Sequence, residues 1–410
     1  MNSLFDRIFQ TGAAVWLCPF RPFFLLTAAH GALAMAAWIA FLSGLLPLPD
    51  VAGGAVVWHA HEMLFGFAMA SIVGFLLTAV PEFTGLPSIP RRRLHVLVAL
   101  WLGGRLAFTF SGALTAWPAA LCDLAVLLTL IASVAGPLWR QPDRRHVAFI
   151  YNLLAVHAGF YAALLGGHDP MPWLRLSIGV LMALIIVALS RISMRLVNDV
   201  LEAQGGESAP YMARPPRRNL AIFAIAAYSA GEFLLPGHAV AGWLALAAAA
   251  AIANLLNDWH VGRALLQRWA LIPYLVYVCM ALGYALIGLG RLSGNEMTSA
   301  GEHLLVVGSL GLAVLIVMAV AGRMHSGWGL DHRRWLPLGA LLFVLAALAR
   351  AGSSTPFGAA AATAGLHAAA TLWIAGWSIY LAYSLKPLSG PRPDDRGGCD
   401  EAAPVAPPTR

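Results

Sequence analysis

The sequence predicts an all-α polytopic membrane protein, and three observations carry that prediction. Of 410 residues, 60% are hydrophobic and only 11% charged, against about 25% charged in soluble domains. Mean hydropathy is +0.74. The apolar residues gather into about twelve runs separated by short loops, and about twenty apolar residues cross a bilayer as one helix. The net charge of +7 does not point to nucleic acid, because the basic residues sit in the loops between apolar runs. No small-residue cleavage site follows an apolar core between Met1 and Cys18, so no signal peptide is expected. The four cysteines, Cys18, Cys122, Cys279 and Cys399, are isolated. Without CxxC or CxxCH, neither a zinc knuckle nor covalent c-type haem is indicated, and no disulfide is expected.

The runs fall at 23–43, 58–80, 94–111, 117–138, 147–166, 173–190, 219–236, 239–256, 270–290, 302–321, 336–352 and 362–385. The seventh and eighth are short, with Pro236-Gly237 marking the turn between them. Residues 1–385 read as a single transmembrane domain. Residues 386–410, rich in Pro, Asp and Gly, read as a disordered cytoplasmic tail. Lys/Arg bias sets the orientation. Alternate loops hold Arg91-Arg92-Arg93, Arg140 with Arg144 and Arg145, Arg214 with Arg217 and Arg218, Arg263 with Arg268, and Arg333-Arg334. The tail adds Lys386. That face is the cytoplasmic one, so both termini are expected there.

The double arginines also suggest a repeat. Arg92-Arg93, Arg217-Arg218 and Arg333-Arg334 each open an odd-numbered helix, with four spans in each interval. Three four-helix units follow, about 1–146, 147–269 and 270–385, unlike the two halves of many transporters.

Chemistry concentrates in Trp58-His59-Ala60-His61-Glu62-Met63-Leu64-Phe65-Gly66-Phe67, at the outer mouth of the second span. Ionisable residues there are costly to desolvate and mark a functional site. On a regular helix His59 and His61 lie about 200° apart, so they have different jobs. His59 shares its face with Glu62 and Gly66, and His61 with Phe65 and Ala68. His303 opens the tenth span from the same side, and Gly308 follows it by five residues as Gly66 follows His61. Unit two has Leu174-Arg175 at this place and supplies no imidazole. Two histidines from two helices at one depth are able to ligate a haem iron from both faces. His367 is a further candidate near the outer depth, and His30 and His157 lie deeper. His95, His146, His260, His325 and His332 fall on the cytoplasmic side and read as solvated. Arg105 and Asp123 lie at equal depth and are placed to pair. Glu232 and Arg350 sit at the equivalent outer ends of the seventh and eleventh spans.

These residues resemble the NnrS family, bacterial membrane proteins of twelve helices associated with the nitric oxide response. The resemblance starts at Pro19-Phe20-Arg21-Pro22-Phe23-Phe24-Leu25 and runs through the HxHExxxGF stretch at His59. It continues in Gly74-Phe75-Leu76-Leu77-Thr78-Ala79-Val80-Pro81, Thr84-Gly85 and Gly104-Arg105-Leu106. It returns at His303-Leu304-Leu305-Val306-Val307-Gly308 and His325-Ser326-Gly327. The end of the sixth span, Ser190-Arg191-Ile192-Ser193-Met194, departs from the family pattern.

The resemblance implies non-covalent b-type haem and copper as cofactors. It implies nitric oxide or a nitrosylated metal species as partner, an electron donor it does not name, and a place in the bacterial inner membrane alongside denitrification. It fixes no reaction. On these grounds His61 and His303 are expected as axial haem ligands. His59 is expected as a copper ligand or second haem contact, with His367 the next metal candidate. Arg105 and Arg350 are expected to hold propionates, and Glu62 to orient an imidazole. The rival reading is a twelve-helix secondary transporter or exporter without redox cofactor.

Overall fold

A computed structural model describes residues 14–85, 87–139, 148–205, 209–295, 297–355, 361–394 and 399. Every predicted apolar run forms a helix. In chain order they are α1 (Phe20–Leu42), α2, α3 (Arg91–Thr109), α4 (Trp117–Trp139), α5 (Ala148–Leu165) and α6 (Met171–Ala203). Then come α7 (Pro215–Leu234), α8 (Ala239–Leu255), α9 (Arg268–Ser293), α10, α11 (Trp335–Ser353) and α12 (Ala362–Ser389). Two of them are composite. The α2 rod runs from Gly54–His61 through a π-helical turn, Glu62–Ala68, into Met69–Thr84. The α10 rod runs from Met297–His303 through a second π-helical turn, Leu304–Leu310, into Gly311–Met324. Among the described residues, nine helices are long and apolar enough to cross a membrane.

Burial separates centre from rim. In α2 and in α10, 83% of the most apolar window is buried, against 22% in α1 and 39% in α4, α11 and α12. The two histidine-bearing helices are therefore the axis, and the other rods surround them. α6 touches both axial helices, and α12 packs along α1, which closes the ring. The outward residues are apolar too: Leu33, Leu106, Leu121 and Phe223 are all more than three-fifths exposed. In water such a surface would aggregate. In a bilayer it meets lipid tails, and every backbone group is satisfied within its own helix.

Loop chemistry ends the rods. Pro90, in an extended conformation, precedes α3. Proline opens both α6 and α7, where its missing N–H is no loss. In the turn before α11, hydrogen bonds from Arg333 and Trp335 hold the Asp331 carboxyl well below the usual carboxylate range.

Three expectations are corrected at the arginine-rich face. The last helix continues to Ser389, and Arg392 beyond it is buried, so the tail is folded at least to Asp394. His325 is buried rather than solvated, with its Nε2 3.5 Å from Glu82. Cys18 and Cys399 are joined in a disulfide, which their isolation in sequence concealed. The loop with Arg140, Arg144, Arg145 and His146 lies outside the described residues, as does most of the tail beyond Asp394.

Candidate functional site

The axial helices carry two clusters, one deep and one open. The deep cluster surrounds His61, which has no exposed surface. Its Nδ1 is 2.9 Å from a Glu62 carboxylate oxygen, and its Nε2 is 2.9 Å from the Tyr161 hydroxyl and 3.4 Å from Asp123. Its ring stacks on Phe108 at 3.5 Å. Arg105 bridges the two carboxylates, donating to Glu62 at 3.3 Å and to Asp123. The expected Arg105–Asp123 pair thus exists, with Glu62 as a third member. His30 of α1 completes the group, with Nε2 3.1 Å from Glu62.

Hydrogen-bond bookkeeping constrains this cluster. The Tyr161 hydroxyl donates its one hydrogen to Asp123 at 2.6 Å. Its oxygen lies beside His61 Nε2, and a Glu62 carboxylate oxygen beside His61 Nδ1, so both ring nitrogens are engaged. Two buried carboxylates face one guanidinium.

A π-helical turn, Glu62–Ala68, starts within this cluster. Glu62 was expected on the His59 face; its carboxylate reaches His61 instead. The Gly66 carbonyl in the turn accepts from the Trp101 indole at 3.1 Å as well as from the Met69 backbone N–H. π turns often mark functional sites. Gly66 has to be glycine here, since a Cβ would lie 2.5 Å from His30 Nε2 and 3.1 Å from Arg105 Nη1. His157 stays beside the cluster: its ring stacks on Phe65 at 3.5 Å, and its Nδ1 donates to the Leu153 carbonyl at 2.7 Å.

The open cluster lies at the end of the rods away from the arginine-rich loops. His59 stacks on Trp38 of α1 at 4.5 Å. His303 donates from Nδ1 to the Ser299 carbonyl at 2.8 Å, which leaves Nε2 as the lone-pair nitrogen. Arg350 of α11 meets His303 at Ser299, donating to the Ser299 hydroxyl at 3.4 Å. Its guanidinium also donates to Ser353 and Ser354, and Glu302 is a carboxylate within its electrostatic range. Behind His303, Gly308 is pressed against Cys279, whose Cβ and Sγ would each be 3.0 Å from a Cβ there.

His61 and His303 do not face one another, because His61 turns towards α3, α4 and α5 with both nitrogens engaged. Arg105 is likewise committed to the Glu62 and Asp123 carboxylates. Glu62 does orient an imidazole, that of His61. His367 sits apart at the end of α1, its Nε2 2.9 Å from the Ser43 hydroxyl. Glu232 pairs with Arg291, and Arg175 with Glu302, next to His303.

Sequence reasoning missed Trp101, Phe108, Tyr161 and Trp38. Two of these had a signal: Trp101–Arg105 and His157–Tyr161 are each four apart and share a helix face.

Residue types able to hold a haem are present in the open cluster: two imidazoles on different helices, and a guanidinium hydrogen-bonded to serine hydroxyls. A donor set for copper is not. Among the described residues no group of three or more His, Cys, Asp or Glu is placed to hold a metal ion.

No curated protein matches the chain. A family model described as NnrS protein matches residues 14–392. That stretch includes every helix and both clusters, and so the chain belongs to the NnrS family.

Proposed function

We propose that this is a haem-binding inner-membrane protein of the nitric oxide response, with the haem held between α2 and α10 at the outer mouth. Family membership supports the nitric oxide response. The observation that carries the haem reading is the meeting of His303 and Arg350 at Ser299, with the second His303 nitrogen uncommitted. His59 and His303 would supply iron-binding nitrogens, and Arg350 would hold a propionate. The Ser299 carbonyl fixes the His303 tautomer, a common support for a metal-bound imidazole. Bound there, the iron would supply the ligand position or electron that nitric oxide or a nitrosylated metal species requires. Copper is not placed, and no step is routed through it.

The deep cluster holds α2 in register. It locks His61, Glu62, Arg105 and Asp123 together. The arginine-rich face is the cytoplasmic one in this reading, with both chain ends on it.

The test is spectroscopic. Protein purified in detergent from cells supplied with haem should show a Soret band that shifts on reduction. His59→Ala and His303→Ala should each abolish or shift it, and His95→Ala, on an exposed surface, should not. Colourless wild-type protein, or an unchanged spectrum in both ligand variants, would overturn the assignment.

A further inference from the structure

The arginine-rich face carries a feature that the haem site does not explain. Cys18, just ahead of α1, and Cys399, beyond α12, are bonded across 381 residues of sequence, with Cα atoms 5.5 Å apart, within the ordinary range. Other contacts hold the same stretch of chain. Buried Arg21 donates to the Gly390 carbonyl at 2.7 Å and to the Ala14 carbonyl at 3.1 Å. Arg392 donates to the His325 carbonyl at 2.8 Å and pairs with Asp394 at 2.6 Å. Asp394 in turn covers Gly327, at φ +80°, where a Cβ would come within 2.6 Å of its Oδ1. His325 Nδ1 donates to the Cys399 carbonyl at 2.8 Å. Residues 390–394 and Cys399 thus form a strap folded back across the ends of α1, α10 and α12.

We propose that Cys18 and Cys399 are a thiol–disulfide exchange site for small-molecule thiols and disulfides, and that their bond latches this strap. Two observations and the proposed orientation support it. The bond joins the strap to the start of the fold, so opening it removes the one covalent hold. The two sulfurs differ in access: Cys18 is fully buried and Cys399 is half-buried, with the Ser88 hydroxyl donating to its sulfur at 3.3 Å. The compartment decides the rest. On a cytoplasmic face thiol pools reduce most disulfides, and those that form there are usually transient or sensing. This last step rests on the proposed orientation and is independent of the haem assignment.

The exchange balances simply. A thiolate attacks Cys399 Sγ, the more accessible sulfur; the Cys18–Cys399 bond breaks, and the Cys18 sulfur leaves as thiolate and takes a proton. A second thiol resolves the mixed disulfide. Two small thiols become one small disulfide, and two electrons reduce the protein bond to two thiols. Closure is the reverse, with the small disulfide as oxidant.

The test uses the full chain in nanodiscs, equilibrated with oxidised or reduced glutathione, acid-quenched, denatured and alkylated with a maleimide polymer. Of four cysteines, two are in the bond, so the oxidised sample should take 4 − 2 = 2 adducts and the reduced sample four. Cys399→Ser and Cys18→Ser should each take three under both conditions. Hydrogen exchange across 386–394 should rise several-fold on reduction, and be fast in Cys399→Ser whatever the redox state. Four adducts after oxidised glutathione would overturn the site, and two adducts at saturating thiol would show a permanent bond and overturn exchange. Unchanged hydrogen exchange on reduction would overturn the latch.

Discussion

Removing Arg105 should be among the most damaging single changes in the protein. Its guanidinium is 6% exposed, between Glu62 at 2% and Asp123 at 5%. At 3.3 Å from Glu62, an effective dielectric of about 20 gives an attraction of roughly 5 kcal/mol. Desolvation offsets much of that in the intact cluster. Deleting the cation alone leaves the desolvation and loses the attraction, so Arg105→Met should cost about 3–5 kcal/mol. A second change should compensate. Arg105→Met leaves two buried carboxylates with no guanidinium between them, and Asp123→Asn removes one of those charges. The double variant should therefore be more stable than Arg105→Met alone, a coupling of about 0.5–3 kcal/mol in a double-mutant cycle. Reversible unfolding by SDS in mixed micelles measures both. A loss below about 1 kcal/mol for Arg105→Met, the size of a solvated pair, would refute the buried, ion-paired cluster.

Three further outcomes are expected. His61→Ala should unfold more easily but keep the Soret band, whereas His59→Ala should lose or shift the band; the reverse pattern would return the ligand role to His61. Gly66→Ala should cost about 1–3 kcal/mol in the same unfolding assay, as overpacking against His30 and Arg105 does. Gly136→Ala, where a Cβ meets nothing within 4 Å, should be close to neutral. In an otherwise cysteine-free chain, Leu46→Cys and Leu235→Cys should label with an impermeant maleimide from outside intact spheroplasts, and Ser88→Cys and Lys386→Cys should not; the opposite pattern would invert the orientation.

The helices were legible because the bilayer imposes one rule on all of them: a long apolar run has to be a helix. All twelve apolar runs duly appear, the short seventh and eighth included. The site was legible by residue type and less so by partner. Arg105, Asp123, Glu62, His59, His303 and Arg350 stand out because charge and imidazole are expensive in an apolar run. Which imidazole faces which helix was not legible, because it depends on which neighbouring helices carry Tyr161 and Asp123 to His61. Tyr161 and Trp101 escaped notice because an aromatic residue in a membrane helix is ordinarily packing, and only the partner's position makes it polar. The disulfide and the folded strap were illegible for a related reason. They depend on the two ends of the chain meeting, which the closure of α12 on α1 decides.

The two π turns bear on how the molecule is built. Each begins directly after a histidine, His61 in α2 and His303 in α10, and each lies beside a glycine pressed by a neighbouring helix. A π turn inserts one extra residue and is costly to keep by chance. Its recurrence at one place in two helices argues for common ancestry more strongly than the spacing of loop arginines does. The second helix of each proposed unit, α2, α6 and α10, meets the other two at the centre. We therefore propose three four-helix units around these three helices. The unit that lacks a histidine is then informative: α6 has Arg175 near that level, and it pairs with Glu302, the neighbour of His303. Within this arrangement equivalent positions have diverged in use. His61 is sealed into a buried cluster with Glu62, Tyr161 and Asp123. His303 keeps an uncommitted nitrogen, and in the proposed haem site its partner would come from two residues earlier on α2, His59.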